Sequence, residues 1–305
     1  MTAISVVVPL YNHANYITSA IESVSSQSSA ADEIIILDDG SSDESLQIAQ
    51  KAISGLQNAR VLGQSNIGAH ATINKLFDLA RGDYVAVLNS DDLFNPLKLA
   101  RCRALIAQQP VTDVILGEAE IIDDKGQSSD KGVAADWMRR ALAARDTHGL
   151  QQLSLLHENW VATTSNMVVA KSFWRMTGGF RDLRYCHDLD FLMTAFSRGR
   201  VAIDHGFKHI RYRVHPRNTI TENLNHVRLE IAAVWGNALY EGGDRLIGGA
   251  LADGVPPFFA ALESKGLSQL ICLLQALRGS APSAAVFYDE VLRGALRTTL
   301  LNHLR

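Results

Sequence analysis

Over the first hundred positions, apolar residues alternate between two spacings. Ile4-Ser5-Val6-Val7-Val8 is a mostly β-branched run, expected to form a buried strand that Pro9 ends. Tyr16, Ile17, Ala20, Ile21 and Val24 then recur at helical intervals. Glu33 to Leu37 repeats the strand pattern, and Asp38-Asp39-Gly40-Ser41 follows as a turn. Ser41 and Glu44 have the spacing of a capping box, while Leu46, Ala49, Ala52 and Ile53 line one helical face. A short strand at Val61-Leu62, a helix marked by Ile73, Leu76, Phe77 and Ala80, and a strand from Tyr84 to Leu88 continue the series. Pro96 is expected to open a fourth helix, where its missing N–H costs nothing. Such alternation predicts an α/β fold: a mostly parallel central sheet with helices on both faces.

Beyond residue 110 the alternation weakens. Asp123 to Gln127 reads as a hairpin turn, ahead of a polar stretch to about Gly149 that suits an amphipathic helix. Val161 to Val169, Val201 to Ile203 and Ile210 to Val214 are further expected strands. From Thr221 the pattern is helical, with turn signals at Gly242-Gly243, Pro256-Pro257 and Ser280-Ala281-Pro282. Near the end, Val291, Leu292, Ala295, Leu296, Thr299 and Leu300 form one amphipathic stripe, with Arg293, Arg297 and Arg305 among its polar positions. So few basic residues favour packing on the rest of the chain or on a second subunit over resting on an anionic membrane.

Composition narrows the classes. A chain of 305 residues, 47% hydrophobic and 20% charged, can bury a large core in one domain or two unequal ones. A net charge of −3 gives no footprint for a nucleic-acid partner. Cys102, Cys186 and Cys272 are odd in number and lack a CxxC spacing, so free thiols in a reducing cytosol are expected rather than zinc or disulfides. No basic leader follows Met1, and no run approaches the roughly eighteen apolar residues of a membrane span. A soluble, cytoplasmic protein is expected.

Polar residues gather where the predicted strands end, the edge at which parallel sheets bind ligands. Adjacent Asp91 and Asp92 need a cation or strong donors nearby; as hard oxygen ligands they suit Mg²⁺ or Mn²⁺, and equally they suit capping the next helix. Asp38-Asp39-Gly40-Ser41 can accept from a base N–H or ribose hydroxyls, or be an ordinary turn. Asp188, in Cys186-His187-Asp188-Leu189-Asp190, can project from a helix start as a general base or simply complement the helix dipole. His215 reads as a metal ligand, a phosphate contact or a structural histidine. Neither GxGxxG after the first strand nor GxxxxGK[ST] is present, so no dinucleotide fold or P-loop is indicated.

The segments VVVPLYNHANYITSAIESVSSQ, EIIILDDGSSDES and QSNIGAHATINKLFDLARGDYVAVLNSDDLFNPLKL, in that order, closely resemble the nucleotide-sugar half of family 2 glycosyltransferases of the GT-A fold. GGFRDLRYCHDLDFLMTAFSRG and YRVHPRNT resemble the family's acceptor-side motifs. The resemblance covers roughly residues 1–220, with residues 1–110 the donor half, 111–220 the acceptor-side half and 221–305 a separate helical region. It implies a nucleotide-diphosphate sugar, UDP- or dTDP-linked, as donor and a glycan, lipid-linked or other hydroxyl as acceptor, as in bacterial surface polysaccharide synthesis. Pro9, Tyr11, Asn12 and Asp38 match positions around the base, with Asp39 and Ser41 beside them; Asn66, Gly68 and Asn74 match the backing loop and helix. Asn89 and Asp91 match the donor-contacting motif, Asp91, Asp92 and His215 the Mn²⁺ or Mg²⁺ site, and Asp188 the catalytic base of an inverting transfer. Gly178-Gly179 matches the loop preceding that base. Two departures stand out: Asn89 replaces a common aspartate, and His187 a common glutamate. A protonated His187 is expected to lower the Asp188 pKa. A nucleotidyltransferase would need a glycine-rich loop that Pro9-Leu10-Tyr11-Asn12 lacks, whereas the departures leave a non-catalytic nucleotide-sugar-binding protein as the alternative.

Overall fold

The computed structural model describes residues 2–147, 151–216, 218, 222–247, 263 and 265–304. Gly149, Thr221, the Pro256-Pro257 turn and Arg305 lie outside the described residues. The chain forms two compact units: residues 1–130, 161–180 and 199–214 make the first, and residues 131–160, 181–198 and 215–305 the second. Neither unit is one continuous stretch of chain. The chain leaves the first unit and returns to it twice.

The first unit is built on one eight-stranded sheet. Its strands are β1 (Ile4–Leu10), β2 (Glu33–Asp38), β3 (Ala59–Gly63), β4 (Tyr84–Val87), β5 (Leu93–Phe94), β6 (Val114–Ile122), β7 (Val168–Ala170) and β8 (Val201–Arg213), in spatial order β3-β2-β1-β4-β7-β6-β8-β5. The β3-β2-β1-β4 half is parallel, with Val6 opposite Ile34 and Val7 opposite Val87. β7 runs antiparallel to β4 and β6, β6 and β8 are parallel, and β5 is antiparallel to β8. The helices joining the early strands are α1 (Ile17–Ser25), α2 (Ser45–Ala52), α3 (Ala69–Leu79) and α4 (Lys98–Gln108). Ile4, Val6, Val7, Val8, Ile35 and Ile36 are wholly buried, which is why these strands read as unbroken apolar runs.

Several expectations are corrected. Pro9 lies inside β1 rather than ending it. The Val7 carbonyl accepts the Leu88 N–H, so Pro9, two residues on, faces the same side, past the last rung of β4, and its missing donor is not needed. Pro96 sits in the turn before α4, whose N-cap is Leu97. Of Val161–Val169 only the end is strand; Thr164–Asn166 is a 3₁₀ turn, followed by β7 and then α7 (Lys171–Thr177). The two strands expected around residues 201–214 are one, β8, and β6 beside it carries no expected element. Gly117 sits at the β6 irregularity, where any side chain would collide with the His209 ring.

The second unit is helical: α5 (Val133–Thr147), α6 (Gln151–His157), α8 (His187–Arg198), α9 (Leu224–Ile247), α10 (Ser268–Ser280), α11 (Ala284–Leu292) and α12 (Leu296–His303). α9 breaks at Gly242, where a Cβ would stand 2.6 Å from Ser197 Cβ on α8. The expected stripe over residues 291–300 is two helices, interrupted at Gly294, whose N–H returns to Asp289. Val291 and Leu300 are buried while Leu296 is exposed, so no single apolar face runs through both. No helix among the described residues is long and apolar enough to cross a membrane.

Candidate functional site

In the first unit, the four parallel strands deliver their loops to one edge. Pro9, Tyr11, Asn12, Asp38, Asp39, Ser41, Asn66, Gly68, Asn89, Asp91 and Asp92 all lie in or next to these strand ends. Tyr11 is 48% exposed. Asn12 adopts φ +52°, a left-handed conformation asparagine tolerates. Its N–H donates to Ser41 Oγ at 2.9 Å, and its Oδ1 accepts the Ser42 N–H at 2.8 Å. Ser41 thus ties two loops together, and the expected capping box does not form: α2 starts at Ser45 with no side-chain cap.

Asp38 and Asp39 diverge. Asp39 Oδ1 accepts the Ile67 N–H and the Gln64 amide, and its Oδ2 accepts the Gly68 N–H, each at 2.9 Å. That carboxylate fixes the loop bearing Asn66, Ile67 and Gly68. Gly40, at φ +75°, allows this approach, since a Cβ there would stand 2.9 Å from the Asn66 nitrogen. Asp38 Oδ2 takes the Ser41 N–H at 3.1 Å, but its buried Oδ1 has no hydrogen-bond partner among the described residues. A buried acceptor left open asks for a donor from a ligand.

Asp91 and Asp92 diverge in the same way. Asp92 is 1% exposed and faces inward: Oδ1 accepts the Arg213 N–H at 3.0 Å, and Oδ2 accepts the Ser165 hydroxyl at 2.6 Å and the Thr163 hydroxyl at 3.4 Å. Burial, together with Asp91, pushes its carboxyl up to about 8. Lys98, fully buried, donates to the Ser165 carbonyl at 2.5 Å and lies 4.1 Å from the Phe94 ring centre; burial pulls it down to about 7. Asn89 also turns inward, donating to Thr163 Oγ1 at 2.7 Å and accepting from Thr164 Oγ1 at 2.9 Å. Asp91 is the carboxylate left at the edge. Its Oδ2 lies 4.0 Å from His13 Nε2, and His13 Nδ1 bonds Ser90 Oγ at 2.8 Å. Two ligands about 2.1 Å from one divalent ion stand about 3 to 4 Å apart, so this carboxylate–imidazole pair fits an ion with little adjustment.

Arg213, buried at the end of β8, supports the same turn. Its guanidinium donates to the carbonyls of Asp91 at 2.7 Å and Asp124 at 2.9 Å, and it stacks 5.0 Å from the Tyr16 ring centre. Tyr16 in turn donates to Asp124 on the expected hairpin. His13, Lys98, Thr163, Ser165 and Arg213 escaped the sequence reading. Only the adjacency of His13 to the Pro9–Asn12 cluster pointed to any of them.

Asn74 and the glycine pair meet at one turn. Asn74 Oδ1 accepts from the Trp174 indole at 3.0 Å and the Phe180 N–H at 2.9 Å, and Nδ2 donates to the Phe180 carbonyl at 2.7 Å. Its amide is spent holding the turn after α7. Gly178 ends that helix at φ +80°, and a side chain on Gly179 would collide with Asn74 and the Trp174 indole.

Asp188 belongs to the second unit, in the first turn of α8. It accepts the Leu189 N–H at 2.7 Å, and burial, reinforced by the Glu230 charge, pushes its carboxyl up to about 7 against that hydrogen bond and one from Asn159. The lowering expected from His187 is therefore overturned: desolvation dominates. Asp190, two residues on, is bound to Arg181 at 3.0 Å and to the Tyr288 hydroxyl at 2.5 Å. His215 also falls in the second unit, two residues after Arg213; its N–H donates to Asn218 Oδ1 at 2.6 Å.

Residues 5–174 match the family model described as glycosyl transferase family 2. The uncharacterized glycosyltransferase YibD of Escherichia coli K12 is 26% identical over 74% of this chain and 67% of its own length. The putative glycosyltransferase EpsH of Bacillus subtilis is 34% identical over 43% of this chain, a match spanning only 38% of EpsH. Among solved structures, S. aureus TarS 1–349 in complex with UDP-GlcNAc aligns with a TM-score of 0.60 at 19% identity, covering 97% of this chain and 92% of that one. The mannosyltransferase PcManGT from Pyrobaculum calidifontis, in complex with GDP-Man and Mn²⁺, aligns at 0.57 and 16% identity over 99% and 85%. At these identities the likeness establishes the fold.

Proposed function

The chain belongs to glycosyl transferase family 2, and from that premise we propose that it moves a sugar, with inversion, from a nucleoside-diphosphate sugar to an acceptor hydroxyl. The observation that carries this reading is the open, buried acceptor of Asp38 Oδ1 between the strand-end loops that hold Tyr11 and Ile67. It is suited to a base N–H, and the two exposed apolar side chains suit the base's faces. TarS and PcManGT, solved with UDP-GlcNAc and GDP-Man, lend support from the same fold.

Asp91 and His13 would hold Mn²⁺ or Mg²⁺, with His215 joining them; the imidazole content favours Mn²⁺. When bound, the ion supplies Lewis-acid stabilisation of the departing diphosphate. Asp92, buried and bonded to the Ser165 hydroxyl and the Arg213 N–H, is not itself proposed as a ligand, a revision of the reading that paired them. Asp188 takes the acceptor's proton while the acceptor oxygen bonds to the anomeric carbon. The bond from that carbon to the diphosphate oxygen breaks, and its electron pair leaves with the nucleoside diphosphate. A carboxylate pushed up to about 7 is a stronger base than an ordinary aspartate and is still ionised just above neutrality. The acceptor is proposed to be a glycan or lipid-linked hydroxyl, in surface polysaccharide or related glycan synthesis.

The test is a thermal-shift screen of UDP, UDP-GlcNAc and GDP-mannose with and without Mn²⁺, followed by release of nucleoside diphosphate from any stabilising donor. Stabilisation that needs Mn²⁺, with turnover abolished in Asp188→Asn, is the expected result. Stabilisation without turnover in the wild type, across a panel of hydroxyl acceptors, would move the reading to a non-catalytic binding protein.

A further inference from the structure

Glu230, on α9, does something no strand-end residue does. Its buried carboxylate accepts three consecutive backbone N–H groups: Arg184 at 3.1 Å and Tyr185 at 2.8 Å, with Cys186 at 3.0 Å. Those three residues are the last before α8, and Cys186 is where the helix begins to close, since its carbonyl accepts the Asp190 N–H. Asp188 therefore stands two residues beyond a backbone segment clamped by one carboxylate from another helix. Three charge-assisted bonds to successive amides leave that segment little freedom to rotate, and so aim the first turn of α8.

We propose that Glu230 is a positioning residue for Asp188, fixing the orientation of the base by clamping the Arg184–Cys186 backbone. This rests on the reading of Asp188 as the base. A purely structural clamp would hold the fold and nothing more. The Glu230 charge also raises the proton affinity of Asp188, so it acts on the base's protonation as well as its aim. The other titratable or charged groups around the pair are Cys186, His187 and Asp190 on the Asp188 side, with Asp182, Arg184, Tyr185, His226, Arg293 and Arg297 lining the same hollow as Glu230. Asp190 is bound to Arg181 and Tyr288, and Arg293 to Asp182, so Glu230 is the carboxylate whose removal alters the field at Asp188 most directly.

The decisive comparison is wild type, Glu230→Gln and Asp188→Asn. Backbone hydrogen exchange of the free proteins reads the clamp: the Arg184, Tyr185 and Cys186 amides should exchange at least tenfold faster in Glu230→Gln, with exchange in the sheet unchanged. Turnover of UDP-GlcNAc or GDP-mannose, whichever the wild type releases as nucleoside diphosphate, reads the consequence. The kcat of Glu230→Gln should fall ten- to hundredfold with donor KM unchanged, and the acidic limb of its pH profile should move to lower pH, because a negative neighbour has been removed. His187 is common to both proteins, so the displacement between profiles reports on Glu230. Unchanged exchange, or a reduced kcat with an unmoved limb, overturns the proposal. Full activity in Asp188→Asn would instead sink the underlying assignment of the base, whatever Glu230→Gln does.

Discussion

Two acidic pairs at the strand ends of the first unit and one at a helix start in the second share a division of labour. Asp39, Asp92 and Asp190 are each consumed by the protein: by loop amides, by Ser165 and the Arg213 N–H, and by Arg181 and Tyr288. Asp38, Asp91 and Asp188 are the members to which the proposed function assigns a ligand or a proton. What differs is the company of the spared carboxylate. Asp91 faces an imidazole, whereas Asp188 sits near Glu230. Equivalent-looking doublets are thereby tuned apart, which is what the proposed function asks of them: acceptors and ligands in the first unit, a base in the second.

The largest effect should come from the spared member of the second unit. Asp188→Asn should lower turnover about 10²- to 10⁴-fold with donor affinity preserved, checked by initial rates beside calorimetric titration of the nucleotide. Its consumed neighbour should behave oppositely. Asp190→Ala leaves the buried Tyr288 hydroxyl without its acceptor and Arg181 with Glu241 alone, and should cost about 3 kcal/mol of stability in urea unfolding while Asp188 chemistry survives in the folded fraction. Equal loss of turnover and stability in both variants would erase the distinction drawn above.

At the strand ends the contrast is smaller. Asp38→Ala should weaken nucleotide binding by about 1.5–3 kcal/mol, the worth of a hydrogen bond to a charged group, with little change in melting temperature. Asp39→Ala should instead release the Gln64–Gly68 loop and lower stability. If Asp39→Ala alone weakened binding, the open acceptor would be irrelevant to the donor.

This asymmetry was only half legible in the sequence. The β1 to β4 region declares itself because strands buried on both faces must be apolar and β-branched, so Val6-Val7-Val8 and Ile34-Ile35-Ile36 have few other readings. β6 hides because Glu118 and Glu120 interrupt it, each satisfied by a partner distant in sequence: the Gly206 N–H and Arg211. β8 reads as two short strands for a similar reason, since Asp204 is buried against Arg101 and His209, a pairing that holds its carboxyl below the usual range against the cost of burial. The acidic doublets were visible as doublets. Which member is spent depends on Ser165, Arg213, Arg181 and Tyr288, and nothing in local spacing announces them.

A pH experiment sharpens the second unit's side. The Asp188 carboxyl titrates near 7 folded, against about 3.9 in an unfolded chain, so the native state binds the proton more tightly. That preference disfavours folding progressively from pH 4 to pH 7 and fully above it. Asp188→Asn should therefore raise the melting temperature at pH 8 relative to wild type, with the gain shrinking towards pH 4. The wild-type kcat should fall as pH drops below about 7. A gain independent of pH would mean that the carboxylate is not strained by burial.

The smallest effect is expected beneath Asp92, where Lys98 is the first unit's counterpart: a buried cation serving a consumed acid. Its ammonium is pulled down to about 7 from an unfolded value near 10.4, so folding is penalised below the unfolded value and fully so below pH 7. Lys98→Met keeps the length of the side chain and the contact with Phe94 but loses the bond to the Ser165 carbonyl, a cost of about 1–3 kcal/mol at any pH. The pH-dependent part has the opposite sign. Relative to wild type, the variant should be least stable near pH 10 and should recover as the pH is lowered to 6, where wild-type Lys98 must carry its charge in the core. Urea midpoints at the two values measure the change. A gap that widened on acidification would show that charged Lys98 is stabilised there by Asp92, and the two buried groups would then have to be treated as an ion pair.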